Sequence, residues 1–434
     1  MKIVKGGNVT RLLEGIPLPK MFHARQSFCP DHIEPTDIPA VVYREMSKPE
    51  ISARIQPGMR IAVTAGSRGV ANVDIITRAV VDFCKEKGAL PFVVPAMGSH
   101  GGATAEGQTE QLAGYNITEE TMGCPILSSM DAVLLGYSEY GKPVYQDRNA
   151  HEADGIIVSC RIKPHNAFRG TYESGVCKMM VVGLGKQKGA ASVHSDGLGN
   201  MAKNLEANAK VVLANSKILF AIPCVENAYD QTTLIEAIPA DQIMQREPEL
   251  LKFSFTQMPK ILVEEADVLI VNEMGKCYSG TGVDPNISGT WSTPYGSGGL
   301  KVKRTTILDL VESSHGNANG MGLCDVIPAK LYNKLDPEVI YPNCFTSTVL
   351  RSGMMPPVVA TDKEAIQACL RTANQIDLNN PRVVRIKNTL HVGDIMLSEA
   401  YYEEVKAGKY PNLTTMSEPQ PLEFDEDENL ITPM

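Results

Sequence analysis

Apolar and polar positions fall into short blocks of two periods. "RIAVTAGSRG" (60–69) starts as an apolar run and ends in small residues, which reads as a strand entering a loop. Val73, Ile76, Val80 and Phe83 then recur at helical spacing behind Asn72, a residue able to cap. Lys85 and Lys87 suit the C-terminal end of that helix, and Gly88 suits a left-handed stop. "PFVVPAM" (91–97) reads as a second strand, so 60–97 predicts a βαβ unit with parallel strands.

"GIIVSCRIK" (155–163) and "SKILFAIPC" (216–224) predict further buried strands. "LLKFSFTQMPKILVEEA" (250–266) reads as helix or connector. A new alternation follows: "DVLIVNEMG", "RTTILDLV", a helix near 361–374, "PRVVRIK" and a helix near 396–407. These elements predict an α/β protein of two domains, 1–255 and 256–434. Each is expected to hold a mainly parallel sheet flanked by helices, with the active site in the cleft between them. The tail "SEPQPLEFDEDENLITPM" is acidic and contains proline, which predicts a solvated coat. It is also free to pack back on the first domain.

Composition narrows the classes. The 434 residues are too many for one ordinary core, and 43 % apolar residues suffice to fill two. The formal charge of −9 is interspersed, so no nucleic-acid stripe is expected. The ten cysteines show no CxxC pair, which points to reduced thiols in a cytoplasm and disfavours metal fingers. No apolar h-region opens the chain, and the longest apolar run, "KILFAIPCV", is broken by Pro223; neither a secretory signal nor a membrane span is expected.

Ligands of open parallel sheets gather beyond the carboxyl ends of the strands. Three predicted strands end in polar residues: the first in Ser67 and Arg68, the second in "GSHGGAT" with His100, the third in "KPH" with His165. "GVCK" ends at Lys178, and His194 follows 194 − 178 = 16 residues later. Each of these residues alone also reads as an ordinary surface or locally bonded side chain. "GLGKQKGAASVH" (183–194) resembles a phosphate cradle without being a P-loop, so Lys186 and Lys188 read equally as phosphate ligands or as a solvated turn.

Taken together these segments resemble the nickel-pincer lactate racemase family. The interval from Lys178 to His194 matches that family's cofactor lysine and nickel histidine. The "PH" entry at His165 and the "GSHGG" loop at His100 match its two proton-transfer histidines. Arg68 falls where the family has a carboxylate-binding arginine, at the end of its motif Asp-His-Thr-Arg. The resemblance implies a nickel pincer nucleotide attached covalently to Lys178, with nickel held by His194. It implies phosphate contacts from Lys186 and Lys188, and substrate contacts from Arg68 and, in the second domain, Lys276. Implied partners are a small 2-hydroxy acid and the enzymes that make the cofactor. The motif reads "AGSR" here, and "NEMGKCYSGTGVDPNISGTW" (272–291) departs from the family pattern. The expected substrate is therefore larger than lactate, such as a sugar acid.

The residue types suit that chemistry. The Cα–H of a 2-hydroxy acid lies beside an ionised carboxylate and leaves with difficulty as a proton. Leaving as hydride needs an acceptor that only a cofactor supplies. Two imidazoles, titrating near neutrality, serve the hydroxyl proton of the two enantiomers. A guanidinium fork grips the carboxylate. Rival readings are a zinc hydrolase using His100, His165 and His194 as ligands, a cofactor carrier without turnover, and a metal-free two-base epimerase.

Overall fold

The computed structural model describes residues 3–434 except Arg68. The chain divides into two compact units. The central unit is Cys29–Met258, and the terminal unit joins Met1–Phe28 to Pro259–Met434.

The sheet of the central unit runs Leu90–Pro95, Arg60–Ala65, Gly155–Arg161, Ile218–Glu226, all parallel, and ends in antiparallel Thr232–Ile235. Its strands read as unbroken apolar runs because they are covered on both faces. Ile61, Val63, Val93, Ile157, Phe220 and Ile222 meet Ile76, Val80 and Phe83 of the helix Val73–Glu86 in one core. The helix Ile38–Met46 adds Ile38, Val42 and Met46, and Tyr43 meets Phe83 edge to face at 5.3 Å. Gly88 has φ +77°, the left-handed stop expected from the sequence. Asn72 precedes the helix without capping it through its side chain: it is itself left-handed, with φ 59°, and its side chain donates to Thr232 Oγ1 instead of accepting from a helix N–H. The strand also runs through Pro223, whose carbonyl accepts from Glu236 N, so proline does not break the run.

The sheet of the terminal unit is mixed, where a mainly parallel one was expected. Its order is Lys301–Leu310, Glu265–Met274, Val383–Ile386, Asp394–Ser398, Met21–Gln26, Leu413–Thr415. The first two junctions are parallel and the other three antiparallel. Two sequence signals were misleading here. Residues 396–398, the start of the helix expected near 396–407, instead end the strand Asp394–Ser398, because Ile395, Met396 and Leu397 are buried between two partners. A 3-10 turn follows over Glu399–Tyr401, and α-helix begins only at Tyr402–Lys406. The strand Met21–Gln26 comes from the opposite end of the chain, and its place between Asp394–Ser398 and Leu413–Thr415 is a long-range property.

The acidic tail is not simply a solvated coat. Leu422, Phe424, Leu430 and Met434 pack on the terminal unit's core around Val268, Leu308, Ile366 and Leu370. Leu430 N donates to the fully buried Asp362 (2.9 Å), and Arg385 Nη2 donates to Thr432 O (2.9 Å). The carboxylates stay outward while the apolar residues between them turn in. No helix among the described residues is long and apolar enough to cross a membrane, and all ten cysteines are free thiols.

Candidate active site

Three loops leave the same end of the central sheet. The strand Arg60–Ala65 lies between its neighbours Leu90–Pro95 and Gly155–Arg161, so the segments bearing Ser67, His100 and His165 start side by side. Ser67 Oγ pairs with His100 Nδ1, which joins the first two loops. The Ser67 carbonyl is itself held by Gln111 Nε2 (2.7 Å) and the Tyr115 hydroxyl (3.0 Å). His100 is exposed at the head of a tight loop. Gly98, Gly101 and Gly102 have φ +58°, +65° and +64°, and Ala103 has φ 55°, so a run of left-handed residues folds the loop back on itself.

His165 is half-buried and fixed by its own backbone. Its Nδ1 accepts from Ala167 N (3.1 Å), which leaves the proton of a neutral ring on Nε2. Its ring lies 4.3 Å from that of Phe168. Glu173 organises the loop. Its buried carboxylate accepts from His165 N (2.6 Å), Gly170 N (3.2 Å) and the Arg169 guanidinium (3.2 Å). Burial pushes Glu173 upward, and those donors oppose the shift.

Lys178 ends the short helix Val176–Lys178, which continues as a π-helical turn over Met179–Gly183. The helix Lys186–His194 follows. Glycines let these pieces close on the strand-end loops. A Cβ on Gly66 would lie 3.0 Å from Met179 Cε, and one on Gly183 would lie 2.7 Å from Ala96 O. Gly98 N donates to Gly183 O (3.1 Å). His194 Nδ1 donates to Ala190 O (2.6 Å), so Nε2 keeps its lone pair in the neutral ring. Burial lowers the His194 imidazole below its ordinary range. The Ala190 carbonyl opposes this and the charge of Lys178 adds to it.

The remaining candidates divide. Lys186 is corrected: it is fully buried and donates to Pro95 O (2.7 Å) and Gln108 Oε1 (3.0 Å), with Asp147 Oδ2 at 3.1 Å. The last is a charge contact without hydrogen-bond alignment. Fully buried, with two hydrogen bonds and a carboxylate beside it, the ammonium is turned into the protein and not towards a phosphate in solvent. The glycines read as a cradle instead let the helix start against backbone: a Cβ on Gly185 would lie 2.2 Å from Val181 O. Lys188 is exposed, with its ammonium 6.0 Å from the Tyr145 ring centroid. Lys276 follows the carboxyl end of the strand Glu265–Met274 in the terminal unit and donates to Gly280 O and Asn343 Oδ1, both at 2.7 Å. Asp284 accepts from Asn286 N (3.0 Å), an Asx turn. Arg68 lies outside the described residues. Ser67 was expected only as a polar strand end, without a role, and Gln108 and Glu173 escaped the sequence reading; a lone Gln on a helix and a Glu in a loop carry no signal.

Residues 22–205 match the family model of the lactate racemase N-terminal domain. That segment, under half of the chain, is homologous to the lactate racemase N-terminal domain. The structure of the lactate racemase apoprotein from Thermoanaerobacterium thermosaccharolyticum superposes with a TM-score of 0.51, at 14 % identity, over 81 % of this chain and 91 % of that one. That likeness concerns the fold. No curated protein sequence matches significantly.

The lactate racemase family implies a nickel pincer nucleotide, and the residues of this chain fit one. His194 presents an unprotonated Nε2 for a metal, and Lys178, at the end of the helix Val176–Lys178, supplies the amine for a covalent tether. His100, His165 and His194 do not form a three-ligand cluster: among the described residues no group of three His, Cys, Asp or Glu side chains could hold a metal. This weighs against the three-histidine zinc site.

Proposed function

We propose that this protein is an isomerase that inverts C2 of a 2-hydroxy acid with the nickel pincer nucleotide. Lys178 tethers the cofactor and His194 ligates its nickel. When bound, the cofactor supplies the hydride acceptor that no side chain offers. His100 and His165 hold and move the hydroxyl proton, one for each enantiomer. His165 Nε2 and the His100 ring held by Ser67 are the groups in question. Arg68 grips the carboxylate with its planar fork, Lys276 is a further substrate contact, and Lys188 meets the nucleotide phosphate. The observation that carries this reading is His194, sixteen residues after Lys178, whose Nδ1 is tied back to Ala190 O and whose Nε2 keeps its lone pair.

The substrate in this reading is larger than lactate, a sugar acid or similar polyhydroxylated compound. The motif "AGSR" at 65–68 and the altered segment 272–291 support that choice. Cytoplasmic placement and supply by cofactor-making enzymes belong to the same proposal, with ten unbridged thiols in support of the first.

Intact mass of chain made in a host with the cofactor pathway tests the tether. A nucleotide-sized addition on Lys178, absent from Lys178→Ala, is expected. Incubation with a panel of chiral 2-hydroxy acids in deuterated water tests the chemistry. Internal hydride return predicts inversion with little deuterium at C2, whereas full solvent labelling would favour the metal-free two-base epimerase. An adduct on a chain that inverts no acid of the panel would favour the carrier.

A further inference from the structure

Gln108 lies in the helix Ala105–Ala113, fully buried, and is not part of any chemistry described so far. Its carboxamide uses all its polarity. Nε2 donates to Gly98 O and to His100 O, both at 3.1 Å, and Oε1 accepts from Lys186 Nζ at 3.0 Å. The two carbonyls flank the turn that presents His100, and Lys186 opens the helix that closes with His194. Gly101 and Gly107 bring the loop onto this helix: a Cβ on Gly107 would lie 2.2 Å from Gly101 O.

We propose that Gln108 is a positioning residue for His100, its buried carboxamide clamping both flanks of the His100 loop and tying that loop through Lys186 to the helix of His194. The proposal rests on the reading of His100 as a proton-transfer group. Its logic is one of matched polarity. Two carbonyls need two donors and an ammonium needs one acceptor, and a primary amide offers that set on one planar group. Glutamate at 108 would satisfy the ammonium and face two carbonyl oxygens with none of the needed donors; leucine would satisfy none. From the other side, Ser67 fixes the ring itself. Backbone clamp and ring partner together leave His100 exposed to substrate yet confined, which proton transfer requires, since about 1 Å of misplacement costs about 10²-fold in rate.

The test uses the full chain in two variants, Gln108→Leu and the nearly isosteric Gln108→Glu, so that one remains informative if the other does not fold. The first readout needs no cofactor: imidazole ¹H–¹⁵N spectra of ¹⁵N-histidine-labelled apoprotein. The His100 ring signals are expected to move or split while those of His165 and His194 stay in place. The second is turnover of loaded enzyme with the fastest-inverting acid of the panel. There kcat is expected to fall about 10–10²-fold with KM within about threefold. Unchanged His100 signals in a folded variant, or unchanged kcat beside moved signals, would overturn the proposal. His100→Ala serves as the separate control on the underlying reading. If it keeps full turnover, His100 is not the proton carrier, a failure recognisable without either Gln108 variant.

Discussion

Lys186 offers a sharp test of the structural reasoning, because its two assignments predict opposite things in the absence of cofactor. Replacing it with alanine removes an ammonium held by Pro95 O, Gln108 Oε1 and Asp147 Oδ2, and leaves Asp147 fully buried without a counter-charge. Burial already lowers Lys186 and raises Asp147, each offset by the charge of the other. Removing one partner of such a pair costs about 3–5 kcal/mol, most of it the penalty on the charge left behind. For a unit of this size, Cys29–Met258, each kcal/mol moves the melting temperature by about 2–4 °C, so Lys186→Ala should lower it by roughly 6–20 °C. The assay is calorimetry and urea unfolding of apoprotein from a host without the cofactor pathway. The double variant Lys186→Met, Asp147→Leu, which removes both charges, should recover most of the loss. Apo Lys186→Ala within about 1 kcal/mol of the parent, combined with weakened cofactor retention, would refute the buried-pair assignment and restore the phosphate role.

Three further outcomes follow from the buried polar groups and the tail. Burial pushes Glu247 to about 7 from 4.5, the Cys177 thiol and the backbone N–H groups of Cys177 and Val176 opposing. The folded chain then holds more protons than the unfolded chain between about pH 4.5 and 7, so this contribution is complete below that window and lost as pH rises through about 7. The stability difference between the parent and Glu247→Gln should therefore fall by about 3 kcal/mol across that window and then level off, as followed by urea midpoints at several pH values. Glu173→Ala orphans His165 N and Gly170 N and should destabilise the central unit by about 1–3 kcal/mol, read as a shifted urea midpoint at constant slope. Truncation after Gln420 removes four apolar contacts with the terminal core and the bond from Leu430 N to Asp362, and should lower that unit's stability by at least about 2 kcal/mol in calorimetry.

The first βαβ unit was legible because its signals are local. The run at 60–65, the helical spacing of Ile76, Val80 and Phe83, and Gly88 each declare themselves within a few residues. The strand-end rule then led to His100, His165 and the loop of Ser67, since parallel order alone puts those loops at one sheet end. What escaped is what depends on distant pairing. Residues 394–398 carry a pattern that either helix or strand could use, and the partners Val384–Ile386 and Met21–Ala24 decide. Lys186 sits among glycines like a phosphate ligand, and only distant partners, Pro95, Gln108 and Asp147, make it internal. Gln108 and Glu173 have meaning only through the carbonyls and amides they meet.

The strand Met21–Gln26 has a consequence for synthesis. Its partner register, Met21 with Ser398, spans 398 − 21 = 377 residues. At about 5–20 residues per second on the ribosome, that strand waits roughly 20–75 s with an unpaired edge before its neighbours emerge. During the same interval all of Cys29–Met258 becomes available to fold. The nascent chain therefore completes its middle before it can close its ends, and the early strand is the segment a chaperone has most time to meet.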